Sequence, residues 1–439
     1  MNNSKLLAGL LAAAIACGAD CAMGASPAVV TLEEIFAVAE QESARLRPSL
    51  TAIDEADSQI KVAQAERLPD IEAHVSLSYI GDGFTTKRNF SDYEVAPIPH
   101  FGNGAGVSVS QPLYTGGAIT AGIDLARLQG DAARQSARLT RENLRMELTA
   151  WYLDLYKYSN LRRVVESNTA QARKVLEQMH SRFEQGTALR NDITRYELLV
   201  SNLELQLTKI DNTLDILNRN LVITAGLPEG TVVVPDSTIL SRSLPADGEA
   251  WWQNEAAANS PSLQLAQSGV SISRKAETIA RSERLPKVAV QAAWTIDGPI
   301  LVEVPPINRN LSYWYVGVGV SYNLSSLFKT NRKLTKARLS TQIAAENLDA
   351  ARQGVSLAVR SDYVRYLEAY EELKTQQKSV ELAERNYNTT LTRYSADMAL
   401  ITDMLDAADS KLDAEQGLVN ARINIIYYYY KLLHTSGKI

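Results

Sequence analysis

The sequence predicts a mixed α and β membrane protein, in which a few short strands cross the bilayer and very long helices stand clear of it. Three observations lead there. Four segments of about ten residues alternate apolar and polar side chains. Two helical hairpins run on for lengths that no compact core needs. Both features recur in two tandem copies of one pattern.

The duplication orders everything else. Glu66-Arg67-Leu68-Pro69 returns as Glu283-Arg284-Leu285-Pro286, 217 residues later. From Pro112-Leu113, which fall on Asn323-Leu324, the separation is 211 and stays there: Tyr152 falls on Tyr363, Arg182-Phe183 on Arg393-Tyr394, Asp192 on Asp403 and Gly226 on Gly437. The expected divisions are a signal peptide at 1–24, a first repeat at 25–230, a linker at 231–248 and a second repeat at 249–439. Each repeat carries lead-in helices, two strands and a long hairpin, so each half contributes the same parts.

The first 24 residues read as a targeting segment: Lys5 supplies the charge, Leu6 to Ala16 form an apolar stretch too short to span a bilayer, and Ala22-Met23-Gly24 precedes a cleavage point before Ala25. Ala14-Ile15-Ala16-Cys17 also resembles a lipobox, which would leave Cys17 acylated. Ordinary cleavage is the expectation, and it removes both cysteines, Cys17 and Cys21. Packing and assembly, rather than a disulfide, must then hold the exported chain.

Strands are expected near 70–80 and 104–113 in the first repeat and near 287–296 and 313–324 in the second. Ile71, Ala73, Val75, Leu77 and Tyr79 alternate with Glu72, His74, Ser76 and Ser78. Val288, Val290, Ala292 and Trp294 alternate with Ala289, Gln291 and Ala293, and Trp314, Val316, Val318 and Val320 with glycines and Ser321. About ten residues is the span of a tilted membrane strand. Tyr79, Trp294, Tyr313, Trp314 and Tyr322 sit where an interfacial aromatic girdle would lie. The polar, proline-bearing stretches 80–103 and 296–311 read as loops. A soluble sandwich would need more than four strands in two separated hairpins. In lipid, four strands cannot close a barrel and open edges are not tolerated, so a spanning chain must oligomerise.

The helical hairpins are expected at 119–225 and about 330–433. Ile193, Tyr196, Val200, Leu203, Leu207, Ile210, Leu214, Leu217 and Leu221 step 3,4,3,4 in a heptad seam. A second seam runs through Met404, Ala407, Ala414, Leu418, Ala421, Ile425, Tyr428 and Leu432, broken at Lys411; the seam of the preceding long helix is broken at Arg162 and Thr169. Ile119 to Phe183 contains no proline and would run about 97 Å, against about 52 Å for its return partner, so the lead-in helices Pro48–Leu68 and Pro261–Leu285 are needed to cover the rest.

Composition excludes other classes. Forty-five Lys and Arg against 50 Asp and Glu give a net charge of −5, without the basic excess that phosphate binding needs, so nucleic acid is not an expected partner. His74, His100, His180 and His434 show no metal spacing, and no nucleophile motif occurs. Gly102-Asn103-Gly104-Ala105-Gly106 precedes a strand instead of following one, which disqualifies it as a nucleotide loop. No enzyme activity, cofactor or metal is expected.

Gln111-Pro112-Leu113-Tyr114-Thr115-Gly116-Gly117, at the junction of strand and helix, resembles the corresponding junction of the TolC family of outer-membrane efflux proteins. Arg182-Phe183-Glu184-Gln185-Gly186 and Arg393-Tyr394-Ser395-Ala396-Asp397 are similar to that family's hairpin tips, as is Thr402-Asp403-Met404-Leu405-Asp406-Ala407. The ordered set covers essentially the whole exported chain. The resemblance implies a homotrimer whose protomers each give four strands to a shared twelve-stranded β-barrel, continuous with a periplasmic α-helical coiled-coil barrel. Leu227–Gly248 and Tyr427–Tyr430 are its candidates for an equatorial collar. It further implies an exit duct in the outer membrane that passes small toxic compounds and meets, at its tips, a periplasmic membrane-fusion adaptor. The adaptor would join it to an inner-membrane pump, either an RND-type pump or an ABC transporter.

The resemblance also assigns roles. Asp403 and Asp406, which share a helix face, match an aspartate constriction and are the expected pore gate. The simpler reading is that acids favour the first turn of a helix, where the dipole welcomes them. Tyr394 and Asp192 match a tie between hairpins; an arginine that supplies a second tie is Ala399 here. Gly186, Thr187, Leu189 and Met398 are the expected docking tip. Two other functions remain open at this point: a type I protein secretion duct, and a periplasmic coiled-coil adaptor or structural protein.

Overall fold

The computed structural model describes residues 28–241, 244, 247–303 and 306–439. The targeting segment and Cys17 lie outside the described residues. In chain order the elements are β1 (Ala28–Val30), α1 (Leu32–Glu42), α2 (Arg47–Ala65), β2 (Asp70–Tyr79), β3 (Gly83–Thr85), β4 (Glu94–Ala96), β5 (Phe101–Tyr114), α3 (Ala118–Glu184), α4 (Arg190–Ala225), β6 (Val233–Pro235), α5 (Glu249–Asn259), α6 (Pro261–Ser282), β7 (Lys287–Gly298), β8 (Leu311–Ser321), α7 (Ser326–Ser395) and α8 (Ile401–Thr435). Among the described residues no helix is long and apolar enough to cross a membrane.

The chain divides into two compact units, and neither follows the repeat boundaries. One contains Ala52–Arg134 and Ala266–Leu348; the other contains Gln135–Leu265, Asp349–Ile439 and the described part of Met1–Thr51. Each therefore takes matching pieces from both repeats.

The first unit holds an antiparallel sheet of order β2-β5-β7-β8. The two hairpins, separate in sequence, are joined by β5 and β7, paired from Asn103↔Gly298 to Tyr114↔Val288 with a bulge near Pro112. Register sorts the side chains cleanly. Ile71 pairs with Val109, Val75 with Ala105, Val107 with Trp294, Val290 with Val318 and Trp294 with Trp314, all on one apolar face. Glu72 pairs with Ser108, His74 with Gly106 and Gly106 with Thr295 on the other. Tyr79, Trp294 and Trp314 belong to the apolar face, but Tyr313 pairs with Thr295 on the polar face and so cannot join a lipid-facing girdle. A step of one residue along a strand reverses the face, and Tyr313 is one step from Trp314. The stretch 80–103 is not all loop: β3 and β4 pair within it, with Phe84 and Tyr93 stacked at 5.0 Å, and β5 already begins at Phe101.

The second unit is helical. The α4 seam faces inward where the heptad places it: Ile193, Tyr196, Val200, Leu203, Ile210 and Leu221 are buried, and Leu207, Leu214 and Leu217 half-buried. The first five join Val165, Met179 and Met404 in one core cluster, while Leu221 joins Leu148, Tyr152, Trp252, Tyr366 and Leu432 in a second. The heptad breakers find partners that make their positions tenable. Arg162 pairs with Asp211 at 2.7 Å and Glu166 at 3.0 Å, Thr169 Oγ1 donates to the Val165 carbonyl at 2.7 Å, and Lys411 Nζ donates to Gln171 at 2.9 Å and lies 5.0 Å over the Tyr387 ring.

Both repeats close their hairpins alike. Gly226, with φ 76°, ends α4 against the Glu42 backbone, and Gly437, with φ 74°, ends α8 against the Asn259 backbone. A Cβ at either would stand within 3 Å of that backbone, so glycine is required at both. The start of the linker is held by β6, which runs parallel to β1, and by Tyr152: its hydroxyl donates to the Val30 carbonyl at 2.9 Å and accepts from the Asp236 amide at 2.7 Å. Burial pushes the Tyr152 phenol up to about 12.

Candidate functional site

The residues singled out in sequence converge on the two hairpin ends, where α3 turns into α4 and α7 into α8. Both turns have the same backbone. Gly186 and Asp397 occupy equivalent positions with φ 76° and 57°, the Thr187 amide donates to the Arg182 carbonyl at 2.9 Å, and the Met398 amide donates to the Arg393 carbonyl at 2.8 Å. Each is a helix C-terminus closed by a left-handed residue, which satisfies carbonyls that the last turn leaves free.

This geometry turns apolar side chains outward. Leu189 is 70% exposed, Met398 64% and Leu400 69%. Thr187 and Gly186 are exposed beside them, and Phe183, 39% exposed, lies under the Arg190 guanidinium at 5.9 Å. Both hairpin turns thus carry exposed large apolar side chains at their ends.

Asp403 and Asp406 are exposed near the start of α8. The Asp403 carboxylate accepts from the Leu400 amide at 3.1 Å, so it caps this helix whatever else it does. Asp406 lies one turn on, and the acidic stripe continues through Asp409 and Asp413. The Asp409 carboxyl is raised above the usual carboxylate range, first by burial and then by the charges of Asp413 and Asp406.

Tyr394 sits half-buried at the end of α7. Among the described residues no hydrogen bond joins its hydroxyl to Asp192. The relation between them is electrostatic: the phenol is raised above its ordinary value by burial first and next by the Asp192 charge. The side chain that does bridge the hairpins is Arg182, which sequence reasoning passed over. It forms an ion pair with Asp397, donates to the Tyr394 carbonyl at 3.3 Å and lies 5.9 Å from the Tyr394 ring centroid. The signal available was Asp397 itself, an acid at the position where the sister tip has Gly186. Ala399 is half-buried and offers no such contact. Among the described residues no group of His, Cys, Asp and Glu could hold a metal ion.

A sheet with one apolar face and two open edges, combined with helices of 67 and 70 residues ending in exposed apolar tips, defines a membrane channel subunit of mixed α and β structure. The profile of the outer membrane efflux protein family matches residues 37–226 and 252–427, and the chain belongs to that family. It is 24% identical to the outer membrane protein TolC of Vibrio cholerae over 409 residues, covering 93% of this chain and 91% of that protein. It is 19% identical to the outer membrane efflux protein BepC of Brucella suis over 431 residues, covering 98% and 90%. Among solved structures, the outer membrane protein VceC of Vibrio cholerae superposes with a TM-score of 0.77 at 15% identity, covering 92% of this chain and 96% of that one. The fold is thus TolC-like, and the protein is an efflux channel of the outer membrane with a large periplasmic portion.

Proposed function

We propose that three copies of this chain seal a twelve-stranded barrel and a helical tunnel, forming the exit duct of a tripartite system that expels small toxic compounds. One observation carries the reading: β2 and β8 are the edges of a sheet whose single apolar face is complete, so the sheet can enter lipid only when another copy pairs with each edge. A periplasmic membrane-fusion adaptor docks on Gly186, Thr187, Leu189 and Met398, and connects the duct to an RND-type pump or an ABC transporter. Asp403 and Asp406 from each copy line the mouth, where closely set carboxylates favour cations. Tyr394 and Asp192 help to hold the mouth shut. The duct itself performs no chemistry.

Replacing Leu189 by Asp tests the docking tip. Drug resistance should be lost while the heat-modifiable oligomer stays at normal abundance in outer-membrane fractions. Resistance retained at that abundance removes the tip from the contact surface, and loss of a secreted protein with resistance intact reassigns the duct to type I secretion.

A further inference from the structure

The first turns of α7 carry a charge that their sister helix lacks. From Ser326 to Ala345 the helix holds five cations and no acid; the first acid is Glu346. Four of the cations, Lys329, Arg332, Lys333 and Lys336, follow the i, i+3, i+4, i+7 spacing that sets residues on one helix face, and all four are exposed. In the first repeat, 211 residues earlier, the same positions of α3 are Ala118, Ala121, Gly122 and Leu125. The duplicated helix therefore forms without these charges. Lys333 pairs with Glu283 at 2.8 Å, whereas Lys329, Arg332 and Lys336 have no acidic partner among the described residues. The row begins at a cleft of about 520 Å³ lined by Glu283, Lys287, Ser321, Ser326 and Lys333. Lys287 pairs with Ser321 and lies, like Ala289 and Gln291, on the polar face of the sheet; its counterpart 217 residues earlier is Asp70. Ser326, the first residue of α7, is 6% exposed, and its hydroxyl makes no hydrogen bond among the described residues. A buried hydroxyl without a partner, at a helix N-terminus and in a cleft with two ammonium groups, fits an anion.

We propose that this basic face lines the inside of the duct next to the sheet and attracts small organic anions, carboxylates or phosphate and sulfate esters, so that the cargo includes anionic compounds. The proposal rests on the exit-duct reading and names a cargo class for it. In a barrel the apolar face meets lipid and the polar face looks inward. The cleft shared by Lys287, Ser321 and Lys333 sets the start of the basic row on that inward side. Three cations without acidic partners, repeated in each copy, raise the local concentration of anions. Lys287 and the Ser326 hydroxyl supply donors that hold one there. Asp403 and Asp406 lie beyond the other end of the 70-residue α7, so the acidic and basic fields act on different stretches of the path.

The test uses the full-length protein in planar bilayers of phosphatidylcholine, with inorganic tripolyphosphate as the probe. Tripolyphosphate should block the parent's current, and the block should weaken from about 0.1 to about 1 M KCl. In the triple variant Lys329→Gln, Arg332→Gln, Lys336→Gln the concentration for half-block should rise about tenfold or more, the low end of the range by which a charged cleft concentrates its counter-ions. The chloride-to-potassium permeability ratio should fall with it. Lys329→Arg with Lys336→Arg should keep the parent's block. Arg338→Gln, two residues from Lys336 and so on the opposite side of the helix, should leave the block unchanged. An unchanged half-block in the triple variant overturns the proposal. So does a triple variant that keeps the block but loses co-purifying anionic phospholipid, which would set the face against the membrane. Should the triple variant fail to assemble, Lys287→Gln carries the same test from the strand side of the cleft, and an unchanged half-block there overturns the proposal too. A parent that conducts no ions would instead overturn the duct reading; phosphorus NMR line widths of tripolyphosphate with the purified protein would still decide whether the face takes anions.

Discussion

The two long helices, α3 and α7, descend from the same half of a duplicated pattern, yet their surfaces have diverged. Along α3 Leu148, Tyr152, Leu155, Val165, Val175 and Met179 are buried, and the one large apolar side chain exposed is Phe183 at the tip. Along α7 the buried apolar side chains are Leu334, Leu348, Val359, Tyr366, Ala369 and Tyr387, whereas Leu339, Ile343, Leu357, Val364, Leu367 and Leu382 are exposed. The return helices differ in the complementary sense: α4 exposes Leu198, Leu205, Ile216 and Ile223, and α8 keeps Ile401, Met404, Ala407 and Ala421 inside. Ile343, Leu357 and Val364 recur at multiples of seven, as do the pairs Leu198/Leu205 and Ile216/Ile223, so these are further helical seams without partners in the protomer. A soluble monomer does not keep two such stripes. The difference teaches that α3 and α8 keep nearly all their large apolar side chains inside the protomer, whereas α4 and α7 pack one face there and leave a second apolar stripe exposed.

Substitutions on the two long helices should therefore fail in different ways, and this is the largest effect expected. Leu148→Ala, at a site with 0% exposure, should lower the stability of the protomer itself by about 2–5 kcal/mol. Leu357→Asp with Val364→Asp, at 68% and 53% exposure, should leave helix content unchanged and abolish the oligomer. Circular dichroism and native mass measurements separate the outcomes; an intact oligomer in the α7 variant would mean that its stripe faces water.

The same logic applies across the sheet. Val290→Arg or Val318→Arg, a paired position on the apolar face, should each cost about 2–4 kcal/mol near mid-membrane and reduce insertion. Gln291→Arg, one residue along and on the polar face, should insert normally. Equal insertion of all three would refute the assignment of faces.

Much of this was legible in the sequence because it is written in periodicity. The 217 and 211 separations, the heptad of α4 and the alternation of β7 each follow from a repeat that burial enforces locally. What could not be read there depends on partners remote in sequence. The joining of β5 to β7 brings together strands of opposite repeats, so no local turn announces it. Tyr313 was misplaced because aromatic character and nearness to a strand end do not fix parity. Arg182 was missed because its value lies in Asp397, a residue whose chemistry becomes visible only when the tips are compared position by position. The spatial units were also hidden, since each is assembled from both repeats.

The start of α8 invites a finer comparison with the start of α4. Asp403 and Asp192 are equivalent, but from there the copies part: Asp406, Asp409 and Asp413 in the second stand where the first has Arg195, Leu198 and Asn202. Asp403→Ala should lose stability by about 0.5–2 kcal/mol, because it removes the cap on Leu400, whereas Asp406→Ala should leave stability unchanged. Cation selectivity in planar bilayers should fall in both. If selectivity holds in the double variant, the acids serve only the helix.

The smallest effect expected is at Asp409. Its carboxyl is raised by burial first, and then by the charges of Asp413 and Asp406, so folding favours its protonated form relative to the unfolded chain. A carboxyl raised on folding favours the native state below its unfolded value near 3.9, and that contribution is lost as pH rises through the folded value. At neutral pH the ionised group therefore opposes folding, weakly, because water screens a side chain this exposed. Asp409→Asn should raise the midpoint of thermal unfolding at pH 7 by no more than about 2 °C, and this gain should vanish below about pH 4. Leu198→Asn on α4, the equivalent site with Arg195 and Asn202 in place of Asp406 and Asp413, should show no pH-dependent change. A gain for Asp409→Asn that is the same at both pH values would mean that the acidic stripe of α8 carries no electrostatic strain, and the contrast between the two helix starts would then be one of sequence alone.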